Sequence, residues 1–300
     1  MSGGRGHHAG AVMTLGVLAL TWAAVLVRWA DAPAIAIAFW RMALAAALLA
    51  AYCAGARVRF WRAWRGIDWW TGAGAALLLA LHFACWISSL EFTSVAASGV
   101  LVSTQPVFVA ILGRAVLGER PARTAWLGMG LAIAGTIVIA GADFAVDRRA
   151  LVGDVLALLG ALWISGYYVL AKVLRATKDL VPYVVVVYAA TAAWLLAGAL
   201  ATGSALTGWG PETWAALAGL AIVPTIVGHS SMNYALRYLP AFQVNVAILG
   251  EPVGSAVWAA LLLAEKPRAA TWAGGALVLA GIFLTLQRRT VREPVTAANL

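Results

Sequence analysis

Residues 241–263 read AFQVNVAILGEPVGSAVWAALLL. The run is long enough to cross a bilayer, since about 20 apolar residues suffice. Asn245, Glu251, Pro252 and Ser255 nevertheless sit inside it. A carboxylate at membrane depth costs roughly 2.5–3.5 kcal/mol on the gentlest scale. Such a group persists only where it has a partner or faces a wet cavity. The proline that follows lacks an N–H and disrupts one helical turn, baring carbonyls nearby. The stretch therefore reads as a membrane helix with a polar, bent waist, and as the wall of a transport pathway.

Composition points the same way. Of 300 residues, 63% are hydrophobic and 11% charged, where a soluble domain carries roughly 25% charge. An integral membrane protein of all-α class, embedded in a lipid bilayer, is expected. The formal net charge of +9 does not imply nucleic acid, because the arginines cluster in short loops between apolar runs. Many of the fifteen Trp lie near span ends, as interfacial residues do. Cys53 and Cys85 both fall in apolar runs, so no disulfide framework is implied. No metal-ligand spacing occurs, and no cofactor is expected. The short basic N-terminus, MSGGRGHHAG, runs into a full-length span, which predicts a first helix that is retained.

Ten spans are expected, near 11–29, 33–53, 70–90, 94–116, 124–141, 151–172, 181–201, 214–236, 241–263 and 271–287. The connections are too short for a soluble domain. With the N-terminus inside, fifteen of the 21 Lys and Arg fall on that side, five on the other, and Arg41 within a span. Both termini are therefore expected in the cytoplasm, with the chain in a bacterial inner membrane.

The halves repeat. At a constant offset of 146 residues, Pro106, Glu119, Pro121, Trp126, Gly128 and Gly135 fall on Pro252, Glu265, Pro267, Trp272, Gly274 and Gly281. Trp22 meets Trp163 at an offset of 141. Matches of Ala and Leu mean little, but Glu-x-Pro followed by a Trp-x-Gly at one register does. Five spans per half is odd, so the second half enters the membrane upside down. The expected units are 1–142 and 143–300, the latter ending in a short cytoplasmic tail. Inverted repeats of this kind build secondary transporters, with the substrate near the midplane between them.

The stretches PVFVAILGRAVLGERPARTAWLGMGLAIAG (106–135) and EPVGSAVWAALLLAEKPRAATWAGGALVLAG (251–281) carry a family resemblance, with weaker support from FWRM (39–42) and LTW (20–22). The chain resembles the EamA family of the drug/metabolite transporter superfamily over about residues 11–287. That resemblance implies ten helices in two inverted five-helix repeats, and export of a small organic solute. The superfamily handles amino acids, sugars, nucleotide-sugars and drugs, so the resemblance does not fix the substrate. Trp22 is followed by Ala23, where members usually have glycine.

Depth singles out the residues that carry chemistry. Gln105 and Glu251 occupy the same repeat position, each about 11 residues into its span and so ~16 Å deep. Trp22, His82 and Trp163 lie at similar depth. Glu251 is the leading candidate, as a proton-linked or cation-recognising carboxylate; the alternative is an ion pair with Arg41 that locks two helices. Thr225, His229, Asn233 and Arg237 recur every four residues and form a stripe running toward the cytoplasm. Their bland reading is interhelical hydrogen bonding. Ser94, Ser98 and Gln105 share a face, matched by Asn245 and Ser255 around Glu251. Trp22 and Trp163, with Tyr167 and Tyr168, suit an aromatic cage for planar or cationic groups, or plain packing. Glu119 and Glu265 precede helix-opening prolines and are expected to complement those helix N-termini.

The reading is a secondary transporter working by alternating access, with a small-molecule substrate and protons as coupling ion. A membrane-embedded enzyme or a lipid-handling protein is the alternative. Gly228-His229-Ser230-Ser231-Met232 has the outline of a hydrolase elbow but ends in Met where glycine is required. No phosphate loop is present, so ATP is not the direct driver.

Overall fold

The computed structural model describes residues 3–93, 95–140, 148–262 and 269–286. Ser94, Glu265, Pro267, the side chain of Ser255 and the C-terminal tail lie outside the described residues. Every regular element among the described residues is helical.

The chain begins with α1 (Gly3–Leu20) and α2 (Ala23–Trp29), one span interrupted at Thr21 and Trp22. It continues through α3 (Ala34–Gly55), a 3-10 turn at Phe60–Ala63, and α4 (Ile67–Phe92). Then come α5 (Val95–Val102), α6 (Gln105–Leu117), α7 (Arg123–Ala140), α8 (Arg148–Thr177) and α9 (Leu180–Ala201). The next span joins α10 (Pro211–Leu220), a π-helical stretch Ala221–His229 and α11 (Ser230–Ala235). The chain closes with α12 (Ala241–Ile248), α13 (Glu251–Leu262) and α14 (Ala269–Leu286).

Eight segments among the described residues are long and apolar enough to cross a membrane. The other two stretches expected to span differ for local reasons. Arg123–Ile139 is a shorter apolar helix, and 241–262 is divided between α12 and α13. Large apolar side chains point outward along the bundle, Ile67 being 74% exposed and Trp70 77%. A surface this apolar suits lipid rather than water.

The bend expected after Glu251 is a break before it. The helix stops at Leu249-Gly250 and restarts on Glu251. Pro252 is thereby the second residue of α13, where its missing N–H removes no intrahelical bond. The same device divides α5 from α6, with Gln105 and Pro106 opening α6. In the α10–α11 span, Pro224 lies within the π-helical stretch, and the Thr225 hydroxyl donates to Leu220 O at 2.8 Å. Such a stretch absorbs the lost backbone bond without ending the span.

Small residues set the packing. A Cβ on Gly135 would lie 2.6 Å from Gly274 O, and one on Gly128 2.7 Å from Gly281 O. Here α7 and α14 cross backbone to backbone, an approach that only glycine permits. Elsewhere α4 lies along α8, α3 along α9, and α1–α2 along the α10–α11 span, while α6 meets α12. Glu119 complements the N-terminus of a helix from the other half of the chain. Ala241 N donates to both its carboxylate oxygens, at 2.9 and 3.0 Å, so Glu119 caps α12.

One end of the bundle is fastened by charge. Lys178 Nζ meets Asp68 at 2.6 Å and Arg237 meets Asp179 at 2.7 Å. Lys172 donates to Leu236 O and Leu239 O, closing the carbonyl end of the α10–α11 span. Arg175 donates from Nε to Asn233 O at 2.9 Å and from Nη1 to Lys178 O.

Candidate functional site

A cavity of about 170 Å³ lies in the half of the bundle away from that fastened end. The placement follows from α4, where His82, Trp86 and Leu90 line the cavity at successive turns, while Asp68 opens the same helix. Gln105 and Glu251 both line it, each at the restart of an interrupted helix. His82, His229 and Arg41 join them.

Arg41 is only 1% exposed. Its Nε donates to Thr225 Oγ1 at 3.2 Å, and its guanidinium carbon sits 4.2 Å from the centre of the Phe83 ring. Nη1 and Nη2 have no hydrogen-bond partner among the described residues. The alternative ion pair between Arg41 and Glu251 is not formed: Nη1 and Nη2 of Arg41 have no partner among the described residues and Nε donates to Thr225. The guanidinium is turned to Thr225 and Phe83 instead, and the two charges share the cavity without touching.

His82 stacks parallel to Trp86, with centroids 6.1 Å apart, and its Nδ1 lies 2.9 Å from Gly160 O. A carbonyl can only accept, so Nδ1 carries the proton and donates. His229 stands edge-on to Phe83 at 5.6 Å, and its Nδ1 has no partner among the described residues. The Tyr168 hydroxyl, also on a cavity-lining residue, has none either. Of seven buried side-chain atoms without partners among the described residues, four belong to Arg41, His229 and Tyr168. A buried polar atom left unpaired costs about 1–3 kcal/mol, so their concentration in one cavity marks a place built to receive polar groups.

The remaining expected residues lie outside the cavity lining. Asn233 is fully buried and exchanges hydrogen bonds with the Tyr167 hydroxyl at 2.8 and 3.0 Å. Ser98 meets Ser89 at 2.7 Å, and Asn245 donates back to Ala241 O at 3.0 Å within α12. Trp22 packs on Trp258 at 4.4 Å, and the Trp258 indole donates to Thr21 Oγ1. Trp163 sits beside the Cys85 thiol. Trp22 and Trp163 thus do not form one aromatic cage. The aromatic walls come from Phe83, Trp86 and Tyr168. A signal for two of them was available, since Phe83 and Trp86 flank the turn of His82 on one helix.

Two stretches of the chain, 9–141 and 151–287, each match the EamA-like transporter family. The chain belongs to that family. As an EamA-like protein it is 29% identical, over 84% of its length and 88% of the relative's, to an uncharacterized transporter of Archaeoglobus fulgidus. It is 28% identical to a probable amino-acid metabolite efflux pump of Salmonella typhimurium, covering 70% of this chain and 75% of that one. With a pseudopaline exporter of Pseudomonas aeruginosa it shares 27% identity over 85% and 87% of the two chains. A solved structure superposes with a TM-score of 0.81 at 20% identity, covering 94% of this chain and 97% of that one. EamA-like proteins are transporters, which makes this chain an integral membrane protein with a small-molecule substrate.

Proposed function

We propose that this EamA-like protein is a secondary-active exporter of a small organic metabolite, such as an amino acid, working by alternating access around the central cavity. The observation that carries the reading is the meeting of Gln105, Glu251, Arg41, His82 and His229 at one cavity beside two interrupted helices. Interrupted helices at mid-bundle expose backbone dipoles to a solute. Export is favoured by the efflux pump and the exporter among the relatives.

Two inverted five-helix units, 1–142 and 143–300, belong to this proposal. Their support is the pattern of contacts. Equivalent spans pack on each other in three places: α3 on α9, α6 on α12, and α7 on α14. At the repeat register Gly128 corresponds to Gly274 and Gly135 to Gly281. The close approaches cross over, Gly128 to Gly281 and Gly135 to Gly274. Crossed contacts of this kind are what a twofold axis generates. On this reading ten spans cross a bacterial inner membrane, with both termini cytoplasmic. The cavity then opens away from the cytoplasm, and the fastened end faces it.

Glu251 is assigned the coupling proton. It is the acidic member of a position whose repeat mate is a neutral amide, so the fold tolerates Gln there. Purified protein in liposomes, offered amino acids with and without a pH gradient, should accumulate at least one of them only with the gradient. The Glu251→Gln variant should fold normally and lose gradient-driven accumulation. Gradient-driven transport at the wild-type level by Glu251→Gln would end the coupling role, and no flux of any amino acid would end the substrate reading.

A further inference from the structure

We infer that Arg41 is the docking point for a carboxylate on the solute, so that the cavity selects amino acids as free acids rather than as amines or amides. The inference rests on the transport reading above and deepens it by naming the chemical group recognised.

A guanidinium offers five N–H donors in a planar fork, and that fork matches a carboxylate in a two-point contact. In Arg41 one donor is occupied, Nε on Thr225 Oγ1 at 3.2 Å, which fixes the plane of the group. The Phe83 ring at 4.2 Å covers one face of that plane. What stays free is the far edge, formed by Nη1 and Nη2, both without partners. The side chain is 1% exposed and its residue lines the cavity. An arginine held for structure alone would have its fork filled, because a buried charge without partners is strongly unfavourable. Arg175, equally buried, illustrates the filled case, with Nε and Nη1 both on backbone carbonyls. Glu251 does not fill the Arg41 fork, since it makes no ion pair there. It shares the cavity as an acceptor for an ammonium group. Arg41 and Glu251 together present one donor fork and one acceptor, the complement of a zwitterionic amino acid. The apolar remainder, Phe83, Trp86 and Ile164, suits a neutral side chain.

The test compares each acid with its own amide. L-threonine, L-leucine and L-phenylalanine, and their carboxamides, are added to detergent-purified protein, and thermal stability is read without any transport. At least one free acid should raise the melting temperature in a concentration-dependent way, with an apparent affinity at least about tenfold tighter than its amide, or ~1.4 kcal/mol. Arg41→Gln should melt no lower than wild type in the absence of solute and lose the response to the acid. Arg41→Lys, which keeps the charge but not the fork, should weaken it about tenfold or more. Equal stabilisation by acid and amide in the wild type overturns the inference, as does no response to any free acid. An Arg41→Gln variant that melts lower but still prefers the acid also overturns it, and makes Arg41 structural. Acid-selective binding without flux in liposomes would keep Arg41 as the docking point and remove the transport reading instead.

Discussion

The cavity and the layer next to it are built from the same helices yet differ in how far their polar groups are satisfied. Along α8, Ile164 and Tyr168 line the cavity, while Arg175, two turns further on, belongs to the fastened end. Along the α10–α11 span, His229 lines the cavity and Asn233, one turn further, does not. On the cavity side, polar atoms of Arg41, His229 and Tyr168 have no partners. In the adjoining layer Tyr167 and Asn233 satisfy each other, Tyr188 meets Ser230 at 3.1 Å, and Arg175 and Lys172 bond backbone carbonyls, while the Tyr183 hydroxyl beside them is without a partner among the described residues. The unsatisfied half is arranged for a guest. The largely satisfied half is arranged to hold the bundle shut. A burial count alone would not separate them, since Arg41 and Arg175 are both 1% exposed.

Removing a buried arginine from each half tests that contrast most severely. Arg175→Met strands the carbonyls of Asn233 and Lys178 and should cost about 3 kcal/mol in unfolding stability, because hydrogen bonds to charged groups run at about 1.5–3 each. Arg41→Met removes a guanidinium whose fork is empty and should be neutral or stabilising in the absence of solute. Denaturant melts in one detergent compare the two directly. Equal losses would erase the distinction.

Hydroxyl deletions ask the same question more gently. Tyr167→Phe leaves Asn233 with an unpaired amide and should cost about 1–2 kcal/mol. Tyr168→Phe removes a hydroxyl that already lacks a partner, and should cost under about 0.5 kcal/mol in the same melt. Accessibility gives a third measure. In a background with Cys53 and Cys85 replaced, Ser103→Cys on the cavity wall should react with a water-soluble thiol reagent at least about tenfold faster than Asn233→Cys, which must await local opening. Comparable rates would mean that water reaches both halves. The smallest effect belongs to Asp179→Asn. Its partner Arg237 is partly exposed and Asp179 mostly so, so the change should fall below about 1 kcal/mol and shrink further in high salt. A larger loss would extend the sealed layer out to the membrane surface.

The sequence disclosed membrane spans readily because length and apolarity are local properties. It disclosed the paired positions Gln105 and Glu251 because the prolines beside them mark the register. It did not disclose whether Glu251 touches Arg41, since the two are 210 residues apart and a rotation of one helix decides the matter. Thr225 takes the Arg41 Nε donor. The four-residue stripe of Thr225, His229, Asn233 and Arg237 was readable as a periodicity, but not the side on which each member would find a partner. Tyr167 on α8 claims Asn233, and Asp179 claims Arg237. Spacing reports which residues share a face of one helix, and it is silent on what the neighbouring helix brings.

The crossing of α7 and α14 has a mechanical consequence. Where Gly128, Gly135, Gly274 and Gly281 bring peptide planes together, backbone carbonyls as well as side chains form the contact. Sliding one helix along the other would drive the next residue's Cβ into a carbonyl oxygen. Turning one helix on the other meets the same obstacle, because two such contacts stand seven residues apart on each helix. The pair is thus shaped as a strut, held against both sliding and turning, and it stands apart from the cavity-lining residues.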